Sequence, residues 1–142
     1  VRGHIGRSLR DRKVQAVYPE GDQGKHAVTH YRVLQRYGPV TLLECRLETG
    51  RTHQIRAHMQ YVGHPLFSDA TYGGDRIRSG QATGAYKAFV ENVFATLPRQ
   101  ALHARSLGFV HPRTGEQVYF EAELPEDFRT ALAKWEAWSQ AQ

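Results

Sequence analysis

Between residues 40 and 48 apolar and polar side chains alternate, with Leu43, Cys45 and Leu47 on one side and Glu44, Arg46 and Glu48 on the other. A period of two predicts a strand with one buried face. Residues 26–37 set Val28, Tyr31, Val33 and Leu34 among polar neighbours, until Tyr37-Gly38-Pro39 interrupts them. Two such strands about a Gly-Pro turn predict an antiparallel hairpin. Beyond Thr49-Gly50 the period changes: Ile55, Met59 and Val62 recur at i, i+4 and i+7, the spacing of one helical face. Thr52 is suited to cap that helix, Gly63 to end it, and Pro65 forbids its continuation. On this reading Arg56 and Gln60 lie on a flank away from the apolar stripe.

Residues 73–85 hold four glycines and predict a mobile surface loop. Residues 86–97 are ambiguous: Phe89, Val93 and Leu97 stand at helical spacing, though Pro98 ends any helix there. Residues 101–110 and 117–124 flank a His-Pro-Arg-Thr-Gly turn at 111–115, and the alternation of Val118, Phe120, Ala122 and Leu124 predicts a second hairpin. Pro125 with Glu126 and Asp127 suits a helix start, and Phe128, Leu132, Trp135 and Trp138 give that last helix an apolar stripe. Residues 1–25 show little periodicity beyond a short extended piece at 14–18. The class is α+β, a mostly antiparallel mixed sheet with flanking helices. It divides into a basic entry segment (1–25), a hairpin-helix-turn unit (26–72), the glycine-rich loop (73–85) and a C-terminal hairpin and helix (101–142).

Composition narrows the partners. The 142 residues, 40% hydrophobic, fit one domain with a real core. No apolar run is long enough to span a bilayer, no secretory leader opens the chain, and the single Cys45 excludes an internal disulfide, so the cytoplasm is the default compartment. Nineteen Lys and Arg against fourteen Asp and Glu leave a net charge of +5. The excess is uneven: Arg2, His4, Arg7, Arg10, Arg12 and Lys13 open the chain, whereas Glu116, Glu121, Glu123, Glu126 and Asp127 gather near its end. That asymmetry favours a polyanionic partner on one side, RNA or DNA.

The chemistry concentrates between Leu47 and Gly74, in LETGRTHQIRAHMQYVGHPLFSDATYGG. Arg51 and Arg56 each offer a planar fork for phosphate or carboxylate, or else a solvated flank. His53 and His58 are five apart, about 140° around a helix, and with His64 they share no face and no cysteine or carboxylate that would complete a zinc set. Cys45 reads as a core residue rather than a nucleophile. Asp69 and Asp75 sit at positions that more often shape turns than catalyse. What remains is an anion-binding constellation without a nucleophile.

The run GRTHQIRAHMQYVGHPLFSDATYGG resembles the RluA-type pseudouridine synthase family, which carries G-R-[TS]-H-Q-[IL]-R-x-H followed by G-H-P-[IL]-x-x-D-x-x-Y-G. GKHAVTHYRVLQRY is similar to the family's strand before the motif, and RQALHARSLGFVHPRTGEQVYFEAELPEDF to its C-terminal hairpin and last helix. The resemblance implies isomerisation of uridine to pseudouridine in structured ribosomal or transfer RNA, without metal or cofactor, on a base flipped from its stack. It implies that Arg56 pairs with the family's nucleophilic aspartate, that Leu66 packs against the flipped base, and that Arg51, His53 and Gln54 shape the substrate pocket or meet phosphate.

The aspartate itself belongs to an H-R-L-D-x-x-[TS]-S-G motif that does not occur here, nor does the family's upstream active-site tyrosine. The expectation is therefore a C-terminal part of such an enzyme, inactive alone. The alternative is a stand-alone RNA-binding module that lost its chemistry, using the basic N-terminal segment and the aromatics Tyr61 and Tyr72. A third reading is a structural domain associated with the ribosome.

Overall fold

A computed structural model describes residues 1–77, 83–110, 113 and 117–142 of the chain. Strands β1 (His4–Arg7) and β2 (Gln15–Tyr18) form an antiparallel ribbon, Ile5 opposite Val17. On its other edge β1 is bridged to the segment before the next strand, through Ile5 with Lys25 and through Arg2 with Val28. Strand β1 has no sequence signature of its own, because in His-Ile-Gly-Arg only Ile5 is an apolar side chain, and it alone is buried. The other two ribbons are β3 (Thr29–Arg36) with β4 (Thr41–Leu47), and β5 (Ser106–Val110) with β6 (Gln117–Glu121), both antiparallel. The helices among the described residues are α1 (Gln54–Tyr61), α2 (Gly84–Thr96) and α3 (Glu126–Gln140). The class is α+β, its antiparallel pairing distributed over three two-stranded ribbons. Residues 78–82 of the glycine-rich loop and most of the 111–115 turn lie outside the described residues. No described helix is long and apolar enough to cross a membrane.

The β3–β4 hairpin departs from its expected burial. Its apolar face pairs Tyr31 with Cys45 and Val33 with Leu43, yet Tyr31, Val33 and Leu47 are exposed and Leu43 and Cys45 only half-buried. Period two specifies which residues share a face, not whether another element covers it, and among the described residues little does.

The described residues form two separate cores. The larger lies between α2 and α3, where Tyr86, Val90, Val93 and Leu97 meet Phe128, Ala131 and Trp135. Both helices begin on good signals: Thr83 accepts a hydrogen bond from the Tyr86 amide at 3.1 Å, and Pro125 precedes Glu126 and Asp127 in the first turn of α3. The smaller core gathers Ile5, Ala27, Ala57 and Tyr72 beneath α1.

Candidate active site

Helix α1 starts one residue later than Thr52 would place it. Its cap is His53, in the left-handed region at φ 51°, with no side-chain capping bond. The chain turns tightly here, the Gln54 amide reaching the Arg51 carbonyl at 3.1 Å, and this turn forces the unusual backbone. The helix ends as expected. Gly63, at φ 88°, takes the left-handed C′ position while the His64 amide returns to the Met59 carbonyl at 2.8 Å.

The buried face of α1 is not the one its apolar spacing indicated. Val62 is 43% exposed and Ile55 half-buried, whereas Gln54, Ala57, His58 and Met59 are buried. Two polar residues can occupy that face because their hydrogen bonds are satisfied within it. His58 contacts the Thr29 hydroxyl through Nδ1 at 2.7 Å and the Gly3 carbonyl through Nε2 at 3.0 Å. Gln54 donates to the Val28 carbonyl at 2.9 Å and the Thr29 hydroxyl at 3.0 Å, and accepts from the Thr49 hydroxyl at 2.7 Å. Gln54 was expected among the substrate-binding residues. It is instead 3% exposed with its amide fully engaged, so it frames the site rather than facing a ligand. Burial holds the His58 pKa below the ordinary histidine value, the N-terminal ammonium acting in the same sense and the Gly3 bond opposing it.

Opposite this lock, on the flank that the sequence assigns to solvent, Arg56 meets Asp69. Nε donates to one carboxylate oxygen at 2.9 Å and Nη2 to the other at 2.8 Å, a bidentate fork. The Arg56 side chain is 12% exposed and that of Asp69 fully covered. The guanidinium carbon also stands 4.8 Å from the centroid of the Tyr72 ring. Tyr72 is 1% exposed and so is not the surface aromatic that the RNA-binding alternative takes it for; Tyr61, at 50%, keeps an open ring. The Tyr72 hydroxyl accepts the Gln15 amide at 2.9 Å and lies 2.8 Å from His53 Nδ1, while its carbonyl accepts from Gln60 at 3.0 Å. Burial first, and the Arg56 charge second, lower the His53 pKa, which favours the neutral imidazole, and a neutral ring lets Nδ1 accept the tyrosine proton.

The loop carrying Asp69 and Tyr72 is folded upon itself. The Asp69 carbonyl accepts from the Gly74 amide at 2.7 Å and from the Tyr72 amide at 3.3 Å, and the Ser68 amide donates to the Gly74 carbonyl at 2.8 Å. A Cβ at Gly74 would lie 1.7 Å from the Leu66 carbonyl oxygen, so only glycine closes the loop. Asp69 is therefore the turn-former the sequence indicated, with a second role for its carboxylate that helical periodicity cannot reveal. Leu66 stands half-buried at the loop entrance, and Arg51 spends Nε on the His26 carbonyl at 2.7 Å.

Known proteins share this arrangement of sequence. The family model described as RNA pseudouridylate synthase matches residues 1–61. An uncharacterized RNA pseudouridine synthase of Chlorobaculum parvum is 45% identical over 135 residues, covering 94% of this chain and 41% of its own length. The ribosomal large subunit pseudouridine synthase D of Zymomonas mobilis is 43% identical over 133 residues (91% of this chain, 39% of the relative). That of Vibrio cholerae is 49% identical over 123 residues (87% and 36%). The chain thus spans about two fifths of the length of these curated relatives. It belongs to the RluA/RluD-like family of pseudouridine synthases.

Proposed function

We propose that this chain forms the arginine-bearing part of an RNA pseudouridine synthase acting on uridines of ribosomal or transfer RNA, in the cytoplasm and without metal or cofactor. Arg56 carries the reading. It occupies the arginine position of the family's motif, fixed on one edge by Asp69 and on one face by Tyr72. In the proposed reaction the target uridine leaves its stack and an aspartate attacks the nucleotide. The glycosidic bond breaks and uracil rejoins the ribose through carbon 5. Arg56 holds the attacking carboxylate ionised and aimed. Leu66 packs on the flipped base, and Arg51 and His53 border the pocket.

Asp69 is not that nucleophile, because both its oxygens are held by Arg56 and it has no open surface. The H-R-L-D motif is absent from these 142 residues. The reading therefore takes the nucleophile from elsewhere in the intact gene product, and the 142 residues alone as inert.

The test is release of tritium from uridine labelled at carbon 5 in ribosomal and transfer RNA. The intact gene product releases it, the 142 residues alone do not, and Arg56→Ala slows release by about 100-fold or more. Near-normal turnover by Arg56→Ala rejects the role of Arg56. Salt-sensitive RNA binding by a gene product that never releases tritium replaces the enzyme with the RNA-binding module.

A further inference from the structure

The Arg56–Asp69 pair presents its two charges unequally. Asp69 uses both oxygens on Nε and Nη2 and has no accessible side-chain surface, while Arg56 retains 12% of its own. What faces out of the pair is guanidinium. A guanidinium has a second edge, made by Nη1 and the outer hydrogen of Nη2, equally able to grip a carboxylate in parallel. Among the described residues Nη1 has no hydrogen-bond partner. The plane of the group cannot rotate freely: Asp69 fixes one edge, Tyr72 lies against one face, and Tyr72 is itself held by Gln15, His53 and Gln60.

We propose that Asp69 is a positioning residue, which clamps the inner edge of Arg56 so that the outer edge is left to receive the attacking carboxylate. The inference rests on the role given to Arg56 above and deepens it. Its consequence is electrostatic as well as geometric. The arriving carboxylate meets a pair that is already neutral, with Arg56 against it and the Asp69 charge one guanidinium away. His53 and Tyr72, the other titratable groups at the guanidinium, are uncharged at neutral pH. Asp69 therefore partly offsets the arginine, and the reactive carboxylate ionises at a higher pH than it would beside a lone arginine. The clamp exchanges some of the charge on Arg56 for a fixed direction.

The experiment measures kcat/KM against pH, with kcat and KM separately, for the intact gene product and its Asp69→Asn, Asp69→Glu and Arg56→Ala variants on labelled RNA. Thermal melts of each variant verify folding. Asp69→Asn removes charge and keeps size. Its kcat falls by about 10-fold to 100-fold as Arg56 loses its aim, KM holds, and the acidic limb of the profile moves to lower pH. Asp69→Glu keeps the charge and displaces the carboxylate, so kcat falls while the limb stays in place.

A purely structural Asp69 would lower activity without moving the limb in either variant, and an unmoved limb in folded Asp69→Asn overturns the proposal. So does wild-type kcat in both variants while Arg56→Ala is dead. If Asp69→Asn does not fold, Asp69→Glu decides: unchanged kcat overturns the clamp, and lowered kcat at constant KM supports it. An active Arg56→Ala overturns instead the role of Arg56, and the clamp with it.

Discussion

Around Trp135 the packing is done by rings. Phe89 meets it edge-on at 4.9 Å, Phe67 edge-on at 5.8 Å, and Trp138 stacks on Phe89 at 4.5 Å. Around Tyr72 the apolar share is small, two alanines and an isoleucine, and order comes from hydrogen bonds among Gln15, His53, Gln54, His58, Thr29 and Thr49. The first kind of core is bound by area, an attraction without preferred direction. The second is bound by direction: each donor has one acceptor, and a lost atom strands its partner. The molecule keeps the two kinds apart.

The sharpest way to break this contrast is Arg56→Ala in the described chain. It leaves the Asp69 carboxylate buried without its cation, at a cost of about 3–5 kcal/mol in urea unfolding. The double variant Arg56→Ala/Asp69→Ala recovers part of that loss. A single-variant cost under about 1 kcal/mol would show that the site is not held by the pair. Phe67→Ala, on the aromatic side, costs about 2–4 kcal/mol, because Phe67 is half-buried against Phe94 and Trp135. It shows no recovery in combination with Asp69→Ala, and a large positive coupling would count against separate cores.

Acid gives a smaller effect confined to the polar region. The folded pKa values of His53 and His58 lie below the unfolded value, so the unfolded chain binds more protons. The stability they allow is whole above the unfolded histidine pKa of about 6.5 and is lost as pH falls from there through the folded values. Amide protection factors in α1 should fall below about pH 6 while those in α3 hold, and a uniform fall in both helices would contradict the distinction. The smallest change is Trp135→Phe. Among the described residues the buried indole Nε1 has no hydrogen-bond partner, so the variant loses ring volume but no bond and costs about 1–2 kcal/mol in urea unfolding. A loss above about 4 kcal/mol would show that more than ring volume is lost.

Sequence pattern was informative where apolar area does the work. The stripe from Phe128 to Trp138 announces α3, and the spacing of Phe89, Val93 and Leu97, ambiguous in the sequence alone, proves to be that of α2, because both helices pack these residues into one core. The same rule misread α1. There Gln54 and His58 take the inner face, and periodicity counts polar residues as outward whatever their partners are. Arg56 was marked by its motif, but its partner stands 13 residues away across a turn, and no helical or strand period connects them. The uncovered face of the β3–β4 hairpin was illegible for the complementary reason: alternation is a property of one segment, and covering is a property of two.

The loop that carries Asp69 has a second passenger. Two residues earlier Phe67 points into the ring cluster, stacked on Phe94 at 4.7 Å, and its carbonyl accepts the Ala101 amide at 2.9 Å. Between them Ser68 sits at φ 64°, where the backbone reverses its hand. The segment therefore belongs to both cores, one residue seated among hydrocarbon rings and the other bearing the carboxylate that Arg56 holds, so the two cores are joined by backbone and share no side chain.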